Sequence, residues 1–258
     1  MTRGFITIAT GGDWYYQLAE NLLLSYRLFS EKPMPFAILC DRENEHTKCF
    51  DQTIVFTPTG KPFFDKFELL RLAPFDETIF IDADCLAYRD LNEFWDFFAG
   101  ADDVSGAGYN VPADSDRGLY RLADIGDYAP RITQKSSIHG GLYFIRKGAV
   151  CDAVYADCQK IIANYEKYRW PGFCAPCADE PVLCLAMNAN GFLDPEGMGN
   201  GGQLAGWCMS NGEGHGEHFS GEAYQRIELS ESGLDCRIVP ASDPVGKGTY
   251  SAAEFAPA

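Results

Sequence analysis

Short apolar runs alternate with stretches of helical spacing over the first 85 residues, and that alternation leaves the chain few folds to choose from. Gly4-Phe5-Ile6-Thr7-Ile8-Ala9-Thr10 reads as a strand closed by Gly11-Gly12. Tyr15, Leu18, Leu22, Tyr26 and Phe29 then recur at helical spacing, the pattern of an amphipathic helix that ends before Pro33. Phe36-Ala37-Ile38-Leu39-Cys40 is a second strand, followed by the charged turn Asp41-Arg42-Glu43-Asn44-Glu45. Ile54-Val55-Phe56 is a short third strand. Phe63, Phe67 and Leu70 mark a helix stopped at Pro74, and Thr78-Ile79-Phe80-Ile81 is too apolar for a solvated edge and reads as a buried strand. A β-α-β-(β)-α-β order implies an α/β domain of Rossmann type: a mainly parallel central sheet with helices on both faces.

The rest of the chain is less regular. Asp90 to Phe98 reads as a short aromatic helix, and Val111 to Lys135, rich in Asp, Arg, Gly and Pro, as an exposed loop region. Leu142-Tyr143-Phe144-Ile145 is a strand introduced by the turn His139-Gly140-Gly141. Val150, Val154, Cys158, Ile161, Tyr165 and Tyr168 make a helix face, and Asp179 to Asn188 a further short helix. No repeat or linker divides the chain, so residues 1–240 are expected to form one domain, with 241–258 a poorly ordered tail.

Composition narrows the function. A formal net charge of −16 argues against nucleic acid or an anionic membrane as partner, because both require a basic face. No segment approaches the ~20 apolar residues of a membrane span, and the N-terminus lacks the apolar core of a signal peptide. Ten cysteines in that context read as reduced thiols in a cytoplasmic protein.

Within this frame Asp82-Ala83-Asp84 stands out. Two carboxylates at i and i+2, just past a buried strand, sit where the pleat gives way to a loop and converge on one hard cation, as chemistry on a nucleotide diphosphate requires. An isolated Asp-x-Asp is equally a turn carrying two solvated acids. Ligands of open α/β sheets collect outside the carboxyl ends of the strands, so Thr10 to Asp13 and Asp82 to Asp84 are expected to line one pocket.

In four stretches the sequence resembles glycosyltransferases of the GT-A fold, in particular the family 8 group of glycogenin and the bacterial lipooligosaccharide galactosyltransferases. The first is Ile6 to Thr10 with Asp13, Tyr16 and Ser25. The second is Lys66-Phe67-Glu68-Leu69-Leu70 followed by Phe80 to Leu86. The third is His139-Gly140-Gly141-Leu142-Tyr143-Phe144, and the fourth is Asp179-Glu180-Pro181-Val182-Leu183 with the later His218-Phe219-Ser220-Gly221. The resemblance implies a metal-dependent enzyme moving a sugar, with retention, from a UDP-sugar to a glycan, lipid-linked or protein acceptor. It implies that Thr10, Asp13 and Tyr16 bind the nucleoside, the tyrosine by stacking, and that Lys66 offsets charge beside it. Asp82, Asp84 and His218 would hold Mn²⁺ or Mg²⁺, with His215 competing for the place of His218. His139, Gly140 and Gly141 would shape the sugar side, and Asp179 or Glu180 would stand by the anomeric carbon. The chain departs from the family at His139-Gly140, where the family has Asn-Ser, at Glu180 in place of glutamine, and at Tyr224 in place of a diphosphate-gripping lysine, with Arg226 as a substitute.

Each candidate also has a purely structural reading. Asp179 and Glu180 open a helix, where acids favour the dipole and cap free amides. Lys66 reads equally as a solvated helix residue, and Cys174-Ala175-Pro176-Cys177 with Cys184 as a zinc or redox site or as buried thiols. Two other functions remain open: a nucleotidyltransferase on a similar sheet, disfavoured by the aromatics after Gly11-Gly12-Asp13, and a non-catalytic nucleotide- or zinc-binding module.

Overall fold

The structure is a computed structural model that describes residues 1–87, 89–168, 170 and 178–193, with the backbone of three further strands at 208–210, 225–229 and 236–240. β1 (Arg3–Ala9), α1 (Asp13–Phe29), β2 (Phe36–Cys40) and β3 (Gln52–Val55) come first. α2 (Pro62–Asp65), the 3-10 turn Lys66–Glu68 and α3 (Leu69–Leu72) lead to β4 (Glu77–Ile81) and β5 (Cys85–Ala87). Then follow α4 (Phe94–Phe97), β6 (Val104–Pro112), β7 (Gln134–Arg146), α5 (Ala149–Ala163) and α6 (Asp179–Ala189). β8 (Cys208–Ser210) pairs with β5, and β9 (Gln225–Leu229) pairs with β10 (Cys236–Pro240). The tail 241–258 lies outside the described residues.

Six strands form the central sheet in the order β3-β2-β1-β4-β7-β6. The first four run parallel, while β7 and β6 are antiparallel additions at one side. Alternation along each strand splits the core into two layers. Ile6, Leu39 and Phe80 face the layer that α2, α3, α5 and α6 complete; Phe5, Ile38 and Ile79 face the layer built with α1 and α4. The inner strands β1, β2 and β4 are buried on both faces, which is why they read as largely apolar runs rather than as alternating ones, whereas the edge strand β3 is exposed at Gln52 and Val55.

Several elements differ from the sequence expectation. The helix expected over Phe63 to Leu70 is broken into two single turns around a 3-10 turn. Asp65, Lys66, Phe67, Leu69 and Leu70 are all buried, so packing on nearly every side, rather than one amphipathic stripe, sets the local geometry. Val111 to Lys135 is not an exposed loop: it holds the ends of β6 and β7, and it buries Tyr120, Ile125, Tyr128 and Ile132 in the core. His139-Gly140-Gly141 is not a turn before a strand but lies inside the 13-residue β7. There the register with β6 slips, Gly106 facing Tyr143 and the next residue, Ala107, facing His139, so residues 140–142 form a bulge. Ser25, part of the stretch likened to a uridine cradle, is buried and pins α1 to β5, its Oγ accepting from the Ala87 N–H at 2.9 Å.

One buried acid ties the lower helical layer together. Asp157 of α5 accepts from Arg131 Nη2 at 2.8 Å, Asn190 Nδ2 at 3.0 Å, and Tyr128 Oη and Lys160 Nζ at 3.3 Å. Burial opposes its charge, yet the Arg131, Asn190 and Lys160 donors outweigh burial and hold the carboxyl below the usual aspartate range. Asp157→Asn should destabilise the fold by about 1–2 kcal/mol at neutral pH, because a buried carboxylate that accepts four donors is replaced by an amide with one acceptor oxygen. A depressed folded value means this contribution is present above the unfolded aspartate pKa, about 3.9, and is lost as pH falls through the lower folded value. Urea midpoints measured from pH 7 to pH 3 should therefore converge between wild type and variant on the acid side.

Candidate active site

The carboxyl ends of β1 and β4 lie side by side, and the second of these carries the densest charge cluster. Lys66, in the 3-10 turn, reaches across so that Nζ donates to Asp82 Oδ2 at 2.7 Å and to the Gly140 carbonyl at 3.3 Å, and pairs with Asp179 Oδ2 at 3.0 Å. Its side chain is 10 % exposed and that of Asp179 8 %, so solvent screens this pair little. The ammonium also lies 5.7 Å from the Phe80 ring and 5.9 Å from that of Phe63. Burial alone would lower its pKa, but Asp179 and Asp82 outweigh burial and hold Lys66 charged. It is not a solvated helix residue.

Asp179 and Glu180 stand in the first turn of α6, yet neither caps that helix. Tyr143 Oη of β7 donates to Asp179 Oδ2 at 3.1 Å, and the Gly140 N–H donates to Glu180 Oε1 at 2.6 Å. Both carboxyls are spent on the site rather than on the free amides of the helix. The β7 bulge makes this possible, because it turns the Gly140 N–H toward α6 and its carbonyl toward Lys66. The approach is close: a Cβ on residue 140 would stand 3.0 Å from Glu180 Cγ and 3.2 Å from Asp179 Oδ2, so both side chains would have to give way. The amide Gly141 N–H donates to His139 Nδ1 at 3.1 Å, and the Gly141 carbonyl accepts from the Asp82 N–H at 3.0 Å. Lys66, Asp82, His139, Gly140, Gly141, Asp179 and Glu180 thus form one connected cluster.

At the end of β1 the arrangement differs from expectation. Tyr16 is fully buried; its hydroxyl bonds to Asp41 and its ring is faced by the Arg42 guanidinium at 4.7 Å, which leaves no surface for stacking. Burial, followed by the Asp41 hydrogen bond and charge, keeps that phenol protonated. Arg42 also bonds Asp13 Oδ1 at 2.5 Å and the Gly11 carbonyl at 2.7 Å, and Asp41 accepts from the Gly11 N–H at 2.9 Å. The charged turn after β2 is therefore the support of the loop holding Thr10 and Asp13, a role the sequence reading missed. Gly11 sits at φ +82°, a conformation other residues adopt only under strain. The aromatics left exposed at this strand end are Trp14 at 55 % and Tyr15 at 54 %.

Asp82 and Asp84 supply hard oxygen donors in the turn between β4 and β5, a donor chemistry that suits Mn²⁺ or Mg²⁺. Asp82 Oδ2 is shared with Lys66 and Oδ1 accepts from the Ala83 N–H at 3.2 Å, so a cation would be held beside the ammonium rather than in its place. The pair fits such an ion only as part of its coordination: among the described residues no group of three or more His, Cys, Asp and Glu assembles a metal site. His218 and His215 lie outside the described residues, as do Cys174, Cys177, Tyr224 and the side chain of Arg226. Cys184 lies on the buried face of α6, in the core.

Glu180 has the most unusual environment of these acids. Burial first and the neighbouring Asp179 second raise its carboxyl, against the Gly140 N–H and Lys66, and push it up to about 7 from 4.5. Between those two values the folded chain retains a proton that the unfolded chain has released, so stability falls as pH rises across that window. Glu180→Gln should flatten that fall. Urea midpoints taken from pH 4.5 to 7.5 test it, and an unchanged slope in the variant would place the proton elsewhere.

No protein-family model matches the chain, and no curated protein does. Solved structures are similar to it. They include the galactosyltransferase LgtC in complex with donor and acceptor sugar analogues, at 11 % identity and TM-score 0.49 over 74 % of this chain and 72 % of that one. The glycosyltransferase GlyE of Streptococcus pneumoniae TIGR4 is similar at 14 % identity and TM-score 0.44, over 70 % of this chain and 43 % of GlyE. The bifunctional glycosyltransferase WbbM is similar at 12 % identity and TM-score 0.47, over 75 % of this chain and 38 % of WbbM. The chain thus spans less than half the length of the latter two.

Proposed function

We propose that the chain is a glycosyltransferase that takes a sugar from a nucleoside-diphosphate sugar, in particular a UDP-sugar, and passes it with retention to a hydroxyl-bearing glycan, lipid-linked or protein acceptor. One observation carries the reading. Lys66, Asp82, the Gly140 bulge and Asp179-Glu180, which belong to separate stretches likened to family 8, meet within hydrogen-bonding distance at the carboxyl edge of the sheet. Among the described residues no helix is long and apolar enough to cross a membrane.

In this reading the nucleoside lies along the Thr10 to Asp13 loop. Tyr15 or Trp14, rather than Tyr16, offers the base its ring, because stacking needs an open π face. Asp82, Asp84 and His218 would hold a divalent cation, Mn²⁺ or Mg²⁺, which would supply positive charge to the leaving diphosphate. Lys66 fixes Asp82 and Asp179 in one geometry and supplies positive charge at the phosphate side. The carboxyl of Asp179 is oriented by Tyr143 and Lys66 toward the sugar side, and Glu180, poised near neutrality, keeps or releases its proton at Oε beside it. Burial of these groups strengthens each interaction with charge that develops at the anomeric carbon.

Calorimetry of UDP with and without Mn²⁺ tests the donor side. Asp84→Asn should abolish the Mn²⁺-dependent part of binding while thermal stability changes little. His218→Ala should weaken it markedly, and His215→Ala should not. Unchanged UDP affinity in Asp84→Asn would overturn the metal assignment. For the base, Tyr15→Ala should weaken UDP about tenfold, the scale of one lost aromatic contact, whereas Tyr16→Phe should leave it nearly unchanged.

Turnover needs groups that favour the transition state over bound substrate. Glu180→Ala should therefore lower donor hydrolysis in the absence of acceptor far more than it lowers UDP-sugar binding. Equal losses in both would make Glu180 a binding residue. If no sugar nucleotide in a broad panel is bound or hydrolysed with Mn²⁺, the chain is a non-catalytic module instead.

A further inference from the structure

Arg131 and Asp157, which bond Ala189 and Asn190 at the end of α6 remote from the acid cluster, line a cavity. It has a volume of about 290 Å³ and lies between the turn at 126–131 and α5, with Asp127, Tyr128, Arg131, Asp157, Lys160 and Tyr168 among its walls. Eleven residues of helix separate the two ends of α6, roughly 16 Å at 1.5 Å per residue, so this cavity is no extension of the donor site. Its volume falls at the lower end of small-molecule sites, about 300 Å³, which limits the occupant to a single ring or a comparable fragment.

The chemistry of the walls selects among such fragments. Asp157 accepts four donors, two at each carboxylate oxygen, and has no lone pair left for a cation. The acids Asp127 and Asp157 balance Arg131 and Lys160, so an anion gains little net field. Arg131 uses Nε on the Ala189 carbonyl and Nη2 on Asp157, which leaves Nη1 as a donor among the described residues. Lys160 has only one of its three N–H groups on Asp157 and its side chain is 69 % exposed. The Asp127 carboxylate adds an exposed acceptor. Tyr128 is covered by Arg131 at 5.3 Å, whereas Tyr168, set edge-on to Tyr128 at 6.3 Å and packed at 5.7 Å against Trp170, is half-buried and lines the opening.

A ligand that suits this wall must both accept from ammonium and guanidinium and donate to a carboxylate, carry no net charge, and press a C–H face on an aromatic ring. Adjacent hydroxyls on a pyranose meet all of these requirements. We propose that this cavity is a saccharide-binding site that takes one pyranose unit. The proposal stands on the cavity and does not require transfer at the acid cluster; that the bound unit belongs to the acceptor rests on the transferase reading.

Saturation-transfer NMR on the full chain tests it with glucose, galactose, mannose, N-acetylglucosamine and their β1,4- and α1,4-linked disaccharides, inorganic phosphate serving as the anionic control. At least one sugar should bind. Tyr168→Ala should weaken it about tenfold, the scale of one aromatic contact, and Asp127→Asn by a smaller factor. Glu180→Gln should leave the saccharide signal intact, and none of the Tyr168 or Asp127 changes should alter UDP affinity. Absence of binding by every sugar, binding of phosphate in their place, or a signal insensitive to Tyr168→Ala but lost in Glu180→Gln would each overturn the proposal. UDP affinity, measured in the same samples, shows independently whether the donor reading stands.

Discussion

An ammonium taken out of water costs several kcal/mol unless acceptors surround it, and Lys66 is surrounded by Asp82, Asp179 and the Gly140 carbonyl. Those three partners come from the turn after β4, the start of α6 and the bulge of β7. No two of them are neighbours in sequence, so the charge of Lys66 is satisfied only when the sheet and both flanking segments are assembled. The broken helix around Lys66 follows from the same demand. A regular helix over 62–72 would present one face to the core, whereas this segment buries Phe64, Asp65, Lys66, Phe67, Leu69 and Leu70 together.

The cluster remains acid-rich after that pairing. Asp82, Asp179 and Glu180 set three carboxyls against one ammonium, with Asp84 two residues from Asp82, in a chain whose net charge is −16. Part of the excess is relieved by the raised Glu180, which at neutrality is only partly ionised. In the proposed reading a phosphorylated donor would need more positive charge than Lys66 gives, and a cation held by Asp82 and Asp84 would supply it. The surplus of acid would then favour cation-assisted phosphate binding rather than oppose it.

Much of this was legible in the sequence because two-sided burial leaves a strong signal. The β2 strand and the core of β1 and β4 are uninterrupted apolar runs, and α1 and α6 carry helical spacing bounded by Gly, Pro or a run of acids. What escaped was set by tertiary contact. The extent of β7 was hidden because His139-Gly140-Gly141 has the composition of a turn, although a bulge uses the same residues. Tyr128 and Ile132 lay in a stretch whose Asp, Arg and Pro mask them, and only packing against α5 and α6 buries them. Of the three consecutive aromatics at 14–16 the resemblance singled out Tyr16 for stacking, but helical phase turns Tyr16 inward and leaves Trp14 and Tyr15 outside. Asp41 and Arg42 looked like an ordinary solvated turn, since nothing local shows that they reach back to Gly11 and Asp13.

The precision available to Asp179 and Glu180 depends on how firmly α6 is held at its other end. Asn188, 2 % exposed, accepts there from Tyr120 Oη at 2.7 Å and the Ser136 N–H at 2.9 Å, and its amide donates to the Phe192 carbonyl at 2.8 Å and Ser136 Oγ at 3.1 Å. A fully satisfied buried amide of this kind fixes both rotation and sliding of the helix, since any shift breaks several bonds with no water to replace them. Ser136 belongs to the same strand as Gly140, so β7 grips α6 at both ends and spans the distance between them. The two carboxyls are thereby positioned by a strut locked to one strand at two points, the rigidity that the proposed role at a transition state would need. Loosening the remote end would then be felt at Asp179 and Glu180 as lost orientation, even though Asn188 bonds neither of them.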